Sequence, residues 1–308
     1  MSNGERELVE YFAAKGKLKT ARFPIGIGDD MAQVKLSKDS SVLITTDILL
    51  DGVHFDSRKA TLEQIGYKAM ACSLSDCAAM ATIPLGAVVS VALPRNFGSQ
   101  KLKKLHKGIL SAAKKYDCAL IGGDMASWPG RLAVSVAMLS KPGRTKPVRR
   151  DTAKIGDVVC VTGTLGGSIA KRHLEFRPRI KEALAIAKAC ANAMIDISDG
   201  LSTDLNHICR LSRKGAVIEA GQIPISKDAK KTRNPLSSAL NDGEDFELLF
   251  TIPKKKFERL KKQWRFKVKL TVIGKITKYP SVKIKMPDGK VVKLLPGGYD
   301  HLKENPKS

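Results

Sequence analysis

Aspartates beside glycines and at the ends of predicted strands are the residues of this sequence whose types and spacing could do chemistry. Carboxylates that cluster in a protein repel one another unless a cation lies between them, and Mg²⁺ prefers such oxygens together with phosphates and water. Each aspartate alone is more typical of a turn or a helix cap. Capping does not explain the repeated placement of the whole set, which indicates a site for metal ions and phosphates. The set consists of Asp29 and Asp30 in GIGDD, Asp47 in TTD, Asp76 in SLSD, Asp124 in GGD, and Asp196, Asp199 and Asp204 in DISDGLSTD.

The common phosphate-binding motifs of nucleotide enzymes are absent from the sequence. There is no G-x-x-x-x-G-K-[ST] loop, and the glycine turn at 163–168 (GTLGGS) lacks the lysine of that loop. The H-R-D and D-F-G motifs of protein kinases are missing as well. If the chain handles nucleotide phosphates, we expect it to do so through metal ions held by carboxylates.

The elements that must position these aspartates are inferred from hydrophobic periodicity. A β-branched run predicts a strand at 41–46 that ends at Asp47, and an alanine-rich stretch without proline predicts a helix at 61–81. A strand at 118–121 is expected to stop at the glycine pair that follows it. Strands and helices alternate along the rest of the chain, which indicates the α/β class with mixed sheets of the α+β kind.

The length and one segment of unusual composition indicate the domain organisation. A chain of 308 residues exceeds what a single core usually supports. Residues 141–157 are rich in proline, glycine and basic side chains, a composition typical of a linker. The sequence therefore predicts an N-terminal domain over 1–142 and a C-terminal domain over 143–308.

The net charge is the unusual property of the composition. Lysine and arginine number 54 against 30 aspartates and glutamates, which gives a formal charge of +24. Such a chain attracts anions, so nucleic acid, an acidic membrane surface and small phosphorylated substrates are all candidate partners. The basic residues occur in short clusters along the chain and aromatics make up only 5%, which does not indicate a base-stacking platform. We therefore expect a solvated basic surface and no specific nucleic-acid site.

The cysteines and the hydropathy pattern indicate the compartment. The six cysteines form no C-x-x-C pair and no zinc-type spacing, so neither disulfides nor a zinc site is expected. No segment has the length and apolarity of a membrane span, and the N-terminus lacks the apolar core of a signal peptide. The sequence predicts a cytoplasmic protein without membrane contact.

Seven motifs, taken in order, resemble the thiamine-monophosphate kinase family, which belongs to the aminoimidazole-ribonucleotide synthetase superfamily. The ordered set covers nearly the whole chain and is more specific than any one motif. The motifs are GIGDDMA at 26–32, TTDILLDGVHF at 45–55, SLSDCAAM at 73–80, IGGD at 121–124, DISDGLSTDL at 196–205, GEDFELLF at 243–250 and GGYDH at 297–301. Within the superfamily, GVHF, GEDFEL and the final GGYDH favour this family.

The resemblance implies a two-domain architecture like that of aminoimidazole-ribonucleotide synthetase. The N-terminal α/β domain would hold the Mg²⁺ and ATP site, and its strands would pair across a homodimer into a barrel. The implied reaction moves the γ-phosphoryl group of ATP to thiamine monophosphate and produces thiamine diphosphate and ADP. Because the accepting phosphate oxygen is already ionised, no catalytic side chain is expected. Several Mg²⁺ ions would reduce the repulsion between the two anions and align the transfer.

Matching positions carry the family's site residues over to this chain. The metal-binding residues implied by the resemblance are Asp30, Thr45, Thr46, Asp47, Asp76, Asp124, Asp196 and Asp199. The residues implied to contact ATP are Tyr116, Gly123, Asp124, Arg150 and Ser198. The residues implied to contact thiamine monophosphate are His54, Glu244 and Tyr299. Without the motifs, the histidine would be an ordinary strand-end residue and the tyrosine a packing aromatic.

The chain departs from the family pattern at a few positions. Ala81 stands where the family usually has glycine, and the segment 171–180 (KRHLEFRPRI) is only loosely similar. None of these departures removes a proposed ligand.

Two other functions stay open. The first is another ATP-using enzyme of the same superfamily, which would share the aspartates but need other substrate residues. The second is a catalytically silent member that binds nucleotide or nucleic acid. The intact aspartate motifs argue against the loss of catalysis.

Overall fold

The computed structural model describes residues 5–15 and 21–299, and strands alternate with helices throughout. The elements of the first half are α1 (Glu5–Lys15), β1 (Ala32–Lys35), β2 (Ser41–Leu50), α2 (Leu62–Ala79), β3 (Thr82–Pro94), α3 (Ser99–Lys115), β4 (Ala119–Trp128) and β5 (Ala133–Pro142). Those of the second half are β6 (Val158–Thr162), α4 (Ile180–Lys188), β7 (Ala193–Asp196), α5 (Leu201–Leu211), β8 (Gly215–Glu219), α6 (Pro235–Asn241), β9 (Leu248–Ile252), α7 (Lys254–Gln263), β10 (Leu270–Thr277), β11 (Val282–Lys285) and β12 (Val291–Lys293). The predicted α/β class with mixed sheets is confirmed.

The first half forms a five-stranded sheet in the order β1-β2-β5-β3-β4. Its neighbours are antiparallel except for β3 and β4, which run parallel. Alternate side chains of β2, such as Leu43 and Leu49, are buried beneath the helices. The opposite face carries exposed apolar side chains, among them Ile44, Ile48 and Val88. One face of this sheet is therefore a core and the other an uncovered apolar surface.

The second half forms a seven-stranded sheet in the order β12-β11-β8-β10-β6-β9-β7. The pair β11 and β8 is parallel, and the other pairs are antiparallel. Strand β7 lies at one edge, is fully buried, and ends at Asp196. The edge strand thus delivers a carboxylate at its C-terminal end.

Helix α2 lies between the two halves. It begins with a capping box in which Thr61 and Gln64 exchange hydrogen bonds, and most of its residues are buried. It contacts β2 and β5 of the first sheet on one side and α4 and β7 of the second half on the other. A Cβ on Gly66 would lie 2.1 Å from the carbonyl oxygen of Leu105, so glycine is what allows α2 and α3 to pack so closely. Side chains of α2 can therefore reach residues of both halves.

Strand β4 corrects one prediction from the sequence. The strand was expected to stop at the glycine pair after residue 121, but β4 continues to Trp128 beside β3. A Cβ on Gly123 would lie 2.1 Å from the carbonyl oxygen of Val89. The glycine therefore allows close approach of two parallel strands and does not end one.

Ala81, which departs from the family pattern, lies in the turn after α2. Ala81 adopts a φ of 53°, in the left-handed region that glycine enters without steric cost. An L-residue with a Cβ pays about 1–2 kcal/mol there. The alanine therefore keeps the geometry of the turn and lowers its stability.

The connection between the halves runs from Pro142, where β5 ends, to Val158, where β6 begins. The sequence places its domain boundary there, between 1–142 and 143–308, and that boundary stays a prediction. The last two residues of the GGYDH motif lie outside the described residues. Within the described part of the chain, no helix has the length and apolarity needed to cross a bilayer.

Candidate active site

Three aspartates from separate parts of the chain meet at the junction of the two halves. Asp30 precedes β1, Asp76 lies on α2, and Asp196 ends β7. One carboxylate oxygen of each lies within 4.8 Å of the other two. The sequence places these residues far apart, and α2 brings them together because it packs on both sheets.

Two serines of α2 fix carboxylates that belong to different halves. Ser73 donates through Oγ to Oδ2 of Asp47 at 2.5 Å, and Ser75 donates through Oγ to Oδ2 of Asp196 at 2.5 Å. The two serines are separated by one residue, so their side chains leave the helix in different directions. One turn of α2 thereby holds a carboxylate of the first sheet and one of the second.

Burial of these carboxylates gives the cluster its electrostatic character. Burial raises the pKa of Asp76 well above its ordinary value, and the charges of Asp47 and Asp196 raise it further. The hydroxyl of Thr45 donates to Oδ2 of Asp76 at 2.6 Å and opposes that rise only weakly. Burial, followed by the charge of Asp30, raises the pKa of Asp196 to about 7. The cluster therefore favours a bound proton or cation.

Arg150 is the cation that faces this cluster. Its Nε donates to Oδ2 of Asp30 at 3.0 Å and lies 3.9 Å from Oδ1 of Asp29. Burial lowers the pKa of the guanidinium, but the adjacent Asp30 carboxylate outweighs burial and the pKa is raised. Burial still raises the pKa of Asp29 to about 7. The single positive charge of Arg150 therefore does not neutralise the negative charges of all these carboxylates.

A cavity of about 1080 Å³ opens beside the cluster and contains the three residues implied to bind the acceptor. His54, Glu244 and Tyr299 all line it, together with Ser198 and Asp199 from the turn after β7. The main-chain N–H of Glu244 donates to the carbonyl of Ser198 at 2.6 Å, and that of Tyr299 donates to the carbonyl of Asp199 at 3.1 Å. The Asp196–Gly200 turn thus connects the carboxylate cluster to the cavity.

The turn that follows β2 holds His54. The main-chain N–H of Leu50 donates to Nδ1 of His54 at 3.0 Å, so Nδ1 acts as an acceptor and the ring proton sits on Nε2. Gly52 in the same turn has a φ of 91°, and a Cβ there would meet the guanidinium of Arg131. The turn therefore needs a glycine in order to form this wall of the cavity.

Two further residues of the cavity were not found by reasoning from the sequence. Lys68 lines the cavity and places Nζ 2.7 Å and 2.6 Å from the two carboxylate oxygens of Glu244. His173 lies beside them, with Nδ1 2.8 Å from Oε2 of Glu244. A lysine in an alanine-rich helix carries no motif. Its spacing of eight residues from Asp76, which places both on one helix face, is the signal that could have revealed it.

Three of the implied site residues join neither the cluster nor the cavity lining within this chain. Asp124 pairs in register with Ser90, which shows it on the open face of the sheet, whereas Asp47 faces α2. Strand β4 is also three strands from β2, or about 14 Å at the usual strand spacing. The other two are Gly123, beside Asp124, and Tyr116, which ends α3. Thr46 lines the cavity but is exposed on the open face and does not reach the cluster.

Family models match most of the chain. The model described as AIR synthase related protein, N-terminal domain, matches residues 28–141, and its C-terminal counterpart matches residues 154–287. The thiamine-monophosphate kinase of Rhodopirellula baltica is 37% identical over 307 residues, which cover 94% of this chain and 96% of that protein. Similarity therefore extends over both halves.

Solved structures show the same fold. The structure of AaThiL complexed with AMPPCP and TMP has a TM-score of 0.83 and 32% identity, and the match covers 97% of each chain. The HypE–HypF complex has a TM-score of 0.73 but only 18% identity over 93% of this chain and 98% of that one, so it is similar in fold alone. The sequence and the structure agree on one family within the superfamily. The chain therefore belongs to the AIR synthase-related proteins and, among them, to the thiamine-monophosphate kinase family.

Proposed function

We propose that this chain phosphorylates thiamine monophosphate to thiamine diphosphate with ATP, by direct in-line transfer of the γ-phosphoryl group. The observation that carries the proposal is the cluster of Asp30, Asp76 and Asp196 beside the cavity that contains His54 and Glu244. The relatives named thiamine-monophosphate kinase and the complex of AaThiL with AMPPCP and TMP support the same substrates. The reaction implied by the motifs, transfer of a phosphoryl group from ATP to thiamine monophosphate, is therefore the function that we propose for this site.

The chemistry of the cluster fits Mg²⁺. Its donors are carboxylate oxygens within 4.8 Å of one another, and neither sulfur nor imidazole is among them. Burial and the neighbouring carboxylates raise the pKa values of Asp76 and Asp196, so a bound cation would stabilise the ionised forms of these two residues. Hard divalent cations prefer such oxygens. The residues that would hold several ions are Asp30, Thr45, Asp47, Asp76, Asp196 and Asp199, whereas the side chain of Thr46 lies on the open face of the sheet. Bound Mg²⁺ would neutralise phosphate charge and orient the reacting groups.

The side chains around the cluster would bind and orient the substrates. Arg150 keeps Asp30 in place and adds positive charge where the phosphates of ATP would lie. Ser198 lines the cavity two residues after Asp196 of the cluster, and we assign it a contact with the phosphates of ATP. No side chain is needed as a general base, because the attacking phosphate oxygen is already ionised.

The acceptor residues suit a cation joined to a phosphate. The carboxylate of Glu244 and the ring face of Tyr299 would favour a positively charged thiazolium. His54 forms the wall nearest β2. The phosphate end would point toward the cluster, so selectivity for a phosphorylated acceptor would come from the metal ions.

A homodimer is part of the proposal. The open face of the first sheet carries exposed Ile44, Ile48 and Val88, an apolar surface that a second copy would cover. Gly123 and Asp124 lie on the same sheet, too far from Asp47 to join the cluster of their own chain. Paired sheets would bring these residues close to the cluster of the partner copy.

We further propose a cytoplasmic location and no sequence-specific contact with nucleic acid. All six cysteines are free thiols, which suits a reducing compartment. The basic residues are spread over the surface and would bind polyanions only in a salt-dependent way.

The test is a coupled assay for ADP with ATP, Mg²⁺ and three classes of acceptor: thiamine monophosphate, thiamine and aminoimidazole precursors. We expect turnover with thiamine monophosphate and none with thiamine, because only the phosphorylated form supplies an ionised nucleophile and oxygens for the metal ions. Faster turnover of thiamine would reject the acceptor assignment. Preference for an aminoimidazole precursor would favour another enzyme of the superfamily, and no turnover with any acceptor would favour a silent binding protein.

A further inference from the structure

A completely buried lysine forms part of the acceptor cavity. Lys68 lies on α2 with no exposed surface, although its side chain lines the cavity. Removing an ammonium group from water is costly unless its hydrogen-bond partners replace the water. The arrangement around Lys68 must therefore supply several acceptors in fixed places.

Lys68 lies within hydrogen-bonding distance of four polar atoms. Its Nζ lies 2.5 Å from the carbonyl oxygen of His54, 2.7 Å and 2.6 Å from the two carboxylate oxygens of Glu244, and 2.9 Å from Nδ1 of His173. Nδ1 of His173 also lies 2.8 Å from Oε2 of Glu244 and donates to it, so the three protons of the ammonium group match the carbonyl oxygen of His54 and the two carboxylate oxygens of Glu244. Lys68 thereby joins the turn after β2, the segment around His173 and the GEDFEL segment at one point.

The main chain of Glu244 is held in an unfavourable conformation. Its φ of 53° lies in the left-handed region, which costs about 1–2 kcal/mol for a residue with a Cβ. Its N–H donates to the carbonyl of Ser198 at 2.6 Å, which fixes the main chain against the turn that follows β7. Strain of this kind persists only where surrounding contacts enforce it, and it is concentrated at functional sites.

The charge of Glu244 is also determined by these contacts. Burial acts to raise the pKa of its carboxyl, but the hydrogen bond from His173 and the charge of Lys68 outweigh burial and lower it. The carboxylate is therefore ionised inside the cavity wall. Its two oxygens face Lys68, and their orientation depends on that lysine.

One face of α2 connects this group to the metal cluster. Lys68, Cys72 and Asp76 follow one another at intervals of four residues, so they lie along a single face of the helix. Eight residues of α-helix rise about 12 Å. The same rigid element therefore sets the distance between the residue that holds Glu244 and an aspartate of the cluster.

We propose that Lys68 is a positioning residue for the acceptor, which fixes the carboxylate of Glu244 and the carbonyl of His54 so that the acceptor's cationic ring binds at a set distance from the cluster. The proposal rests on the proposed function and adds a specificity-determining residue to that site. It assigns Lys68 no contact with the transferred group.

The test is steady-state kinetics of Lys68→Met, which keeps the length of the side chain and removes its charge and donors. We expect KM for thiamine monophosphate to rise about tenfold or more, KM for ATP to stay within about twofold, and kcat to fall by less than KM rises. Glu244→Gln should also raise KM for thiamine monophosphate. Because the two residues act as one unit, combining Lys68→Met with Glu244→Gln should not raise KM for thiamine monophosphate above the value of the single variant with the higher KM.

Glu247 supplies the matched control. It is a buried carboxylate three residues along the same segment, paired with Arg179 at 2.5 Å, and it is absent from the cavity lining. Glu247→Gln removes the charge of a comparable ion pair, so any loss of stability it causes should leave KM for thiamine monophosphate unchanged. Circular dichroism and thermal unfolding of each variant establish that it is folded.

Lys68→Arg provides a second variant in case Lys68→Met does not fold. It keeps the charge but cannot place one nitrogen at the same point, so it too should raise KM for thiamine monophosphate. A KM within twofold of the parent value in the folded variant, or additive effects in the double variant, would overturn the positioning role. If the parent protein does not phosphorylate thiamine monophosphate at all, the proposed function itself fails, and that result is distinct from normal activity of a Lys68 variant.

Discussion

Single residues of the cluster show a shortage of positive charge. Hydroxyl groups donate to Asp47, Asp76 and Asp196, whereas the guanidinium of Arg150 pairs with Asp30. A neutral donor satisfies a lone pair but does not cancel a charge, and the pKa values of the first three aspartates are raised by burial. Within the proposed metal-binding set, Asp47, Asp76 and Asp196 are therefore the carboxylates whose hydrogen-bond donors supply no positive charge, whereas Asp30 has Arg150 beside it.

Asp76→Asn should abolish turnover and leave the fold intact. The substitution keeps the shape of the side chain but removes a charge from the centre of the cluster, and we expect kcat to fall at least about a hundredfold. Kinetics at saturating Mg²⁺ and thermal unfolding measure the two effects. Asp117→Asn is the control, because Asp117 is exposed and its φ of 52° suits asparagine. Turnover within tenfold of the parent would exclude a metal-binding role for Asp76.

The stability of the metal-free protein should depend on pH. Burial raises the pKa of Asp29 and of Asp196 from 3.8 to about 7. The folded state therefore holds protons that the unfolded state has released, and the free energy of unfolding should fall as the pH rises from about 4 to above 7. Mg²⁺ binds the ionised carboxylates, so it should raise the melting temperature more at pH 8 than at pH 5.

Thermal unfolding in EDTA and in Mg²⁺ across this pH range checks that expectation. Asp196→Asn should flatten the pH dependence and reduce the Mg²⁺ effect, while Asp117→Asn should change neither. Equal stabilisation by Mg²⁺ at both pH values would contradict the link between the carboxylates and the ion.

At the scale of helices and strands, some parts of the site could be predicted from the sequence and others could not. The β-branched run of β2 and the alanine-rich α2 were recognised because local composition determines their type, but β2 continues to Leu50 and does not end at Asp47 as predicted. The course of β4 past Gly123 was missed, because a glycine that permits close strand approach resembles one that ends a strand. Lys68 was missed because its burial depends on three segments that are distant in sequence. Local periodicity predicts helices and strands. A residue such as Lys68, which pairs with Glu244 from a distant segment, is recognised only from the tertiary packing.

The contact between α2 and α3 can be tested at a glycine. A Cβ on Gly66 would lie 2.1 Å from the carbonyl oxygen of Leu105, and main-chain atoms cannot move aside as a flexible side chain can. Gly66→Ala should therefore lower the free energy of unfolding by about 1–3 kcal/mol, although alanine is the better helix former. Chemical denaturation measures the change. Gly221→Ala is the control, since nothing lies within 4 Å of a Cβ there. A Gly66→Ala variant as stable as the parent would show that the helices can separate without cost.

At the scale of the whole molecule, the open face of the first sheet is an apolar surface that the described residues leave uncovered. The open face of the first sheet exposes Ile48 and Val88 by 57% and 40%, although strands of a soluble protein usually place polar residues on a solvated face. The formal charge of +24 opposes association of two copies at long range. An interface must therefore rely on apolar contact and would strengthen with added salt.

Val88→Glu should convert a dimer to monomers. The substitution places a charge in the middle of the open face, where it would be desolvated without a partner. Light scattering after size-exclusion chromatography measures the mass. Val291→Glu is the control, because Val291 is 50% exposed on β12 in the other sheet. A monomeric parent, or a Val88→Glu variant that keeps the dimer mass, would show that this face is not the interface.

The two serines of α2 have a consequence for the choice of ion. Ser73 and Ser75 attach Asp47 and Asp196 to one turn of a buried helix, so the two carboxylates cannot move independently of that helix without breaking a hydrogen bond. Mg²⁺ needs ligand distances of about 2.0–2.1 Å, whereas Ca²⁺ needs about 2.3–2.6 Å and more ligands. A pocket of fixed width selects by ionic radius. On the metal assignment that we propose, the helix that positions these carboxylates would therefore favour Mg²⁺ over Ca²⁺.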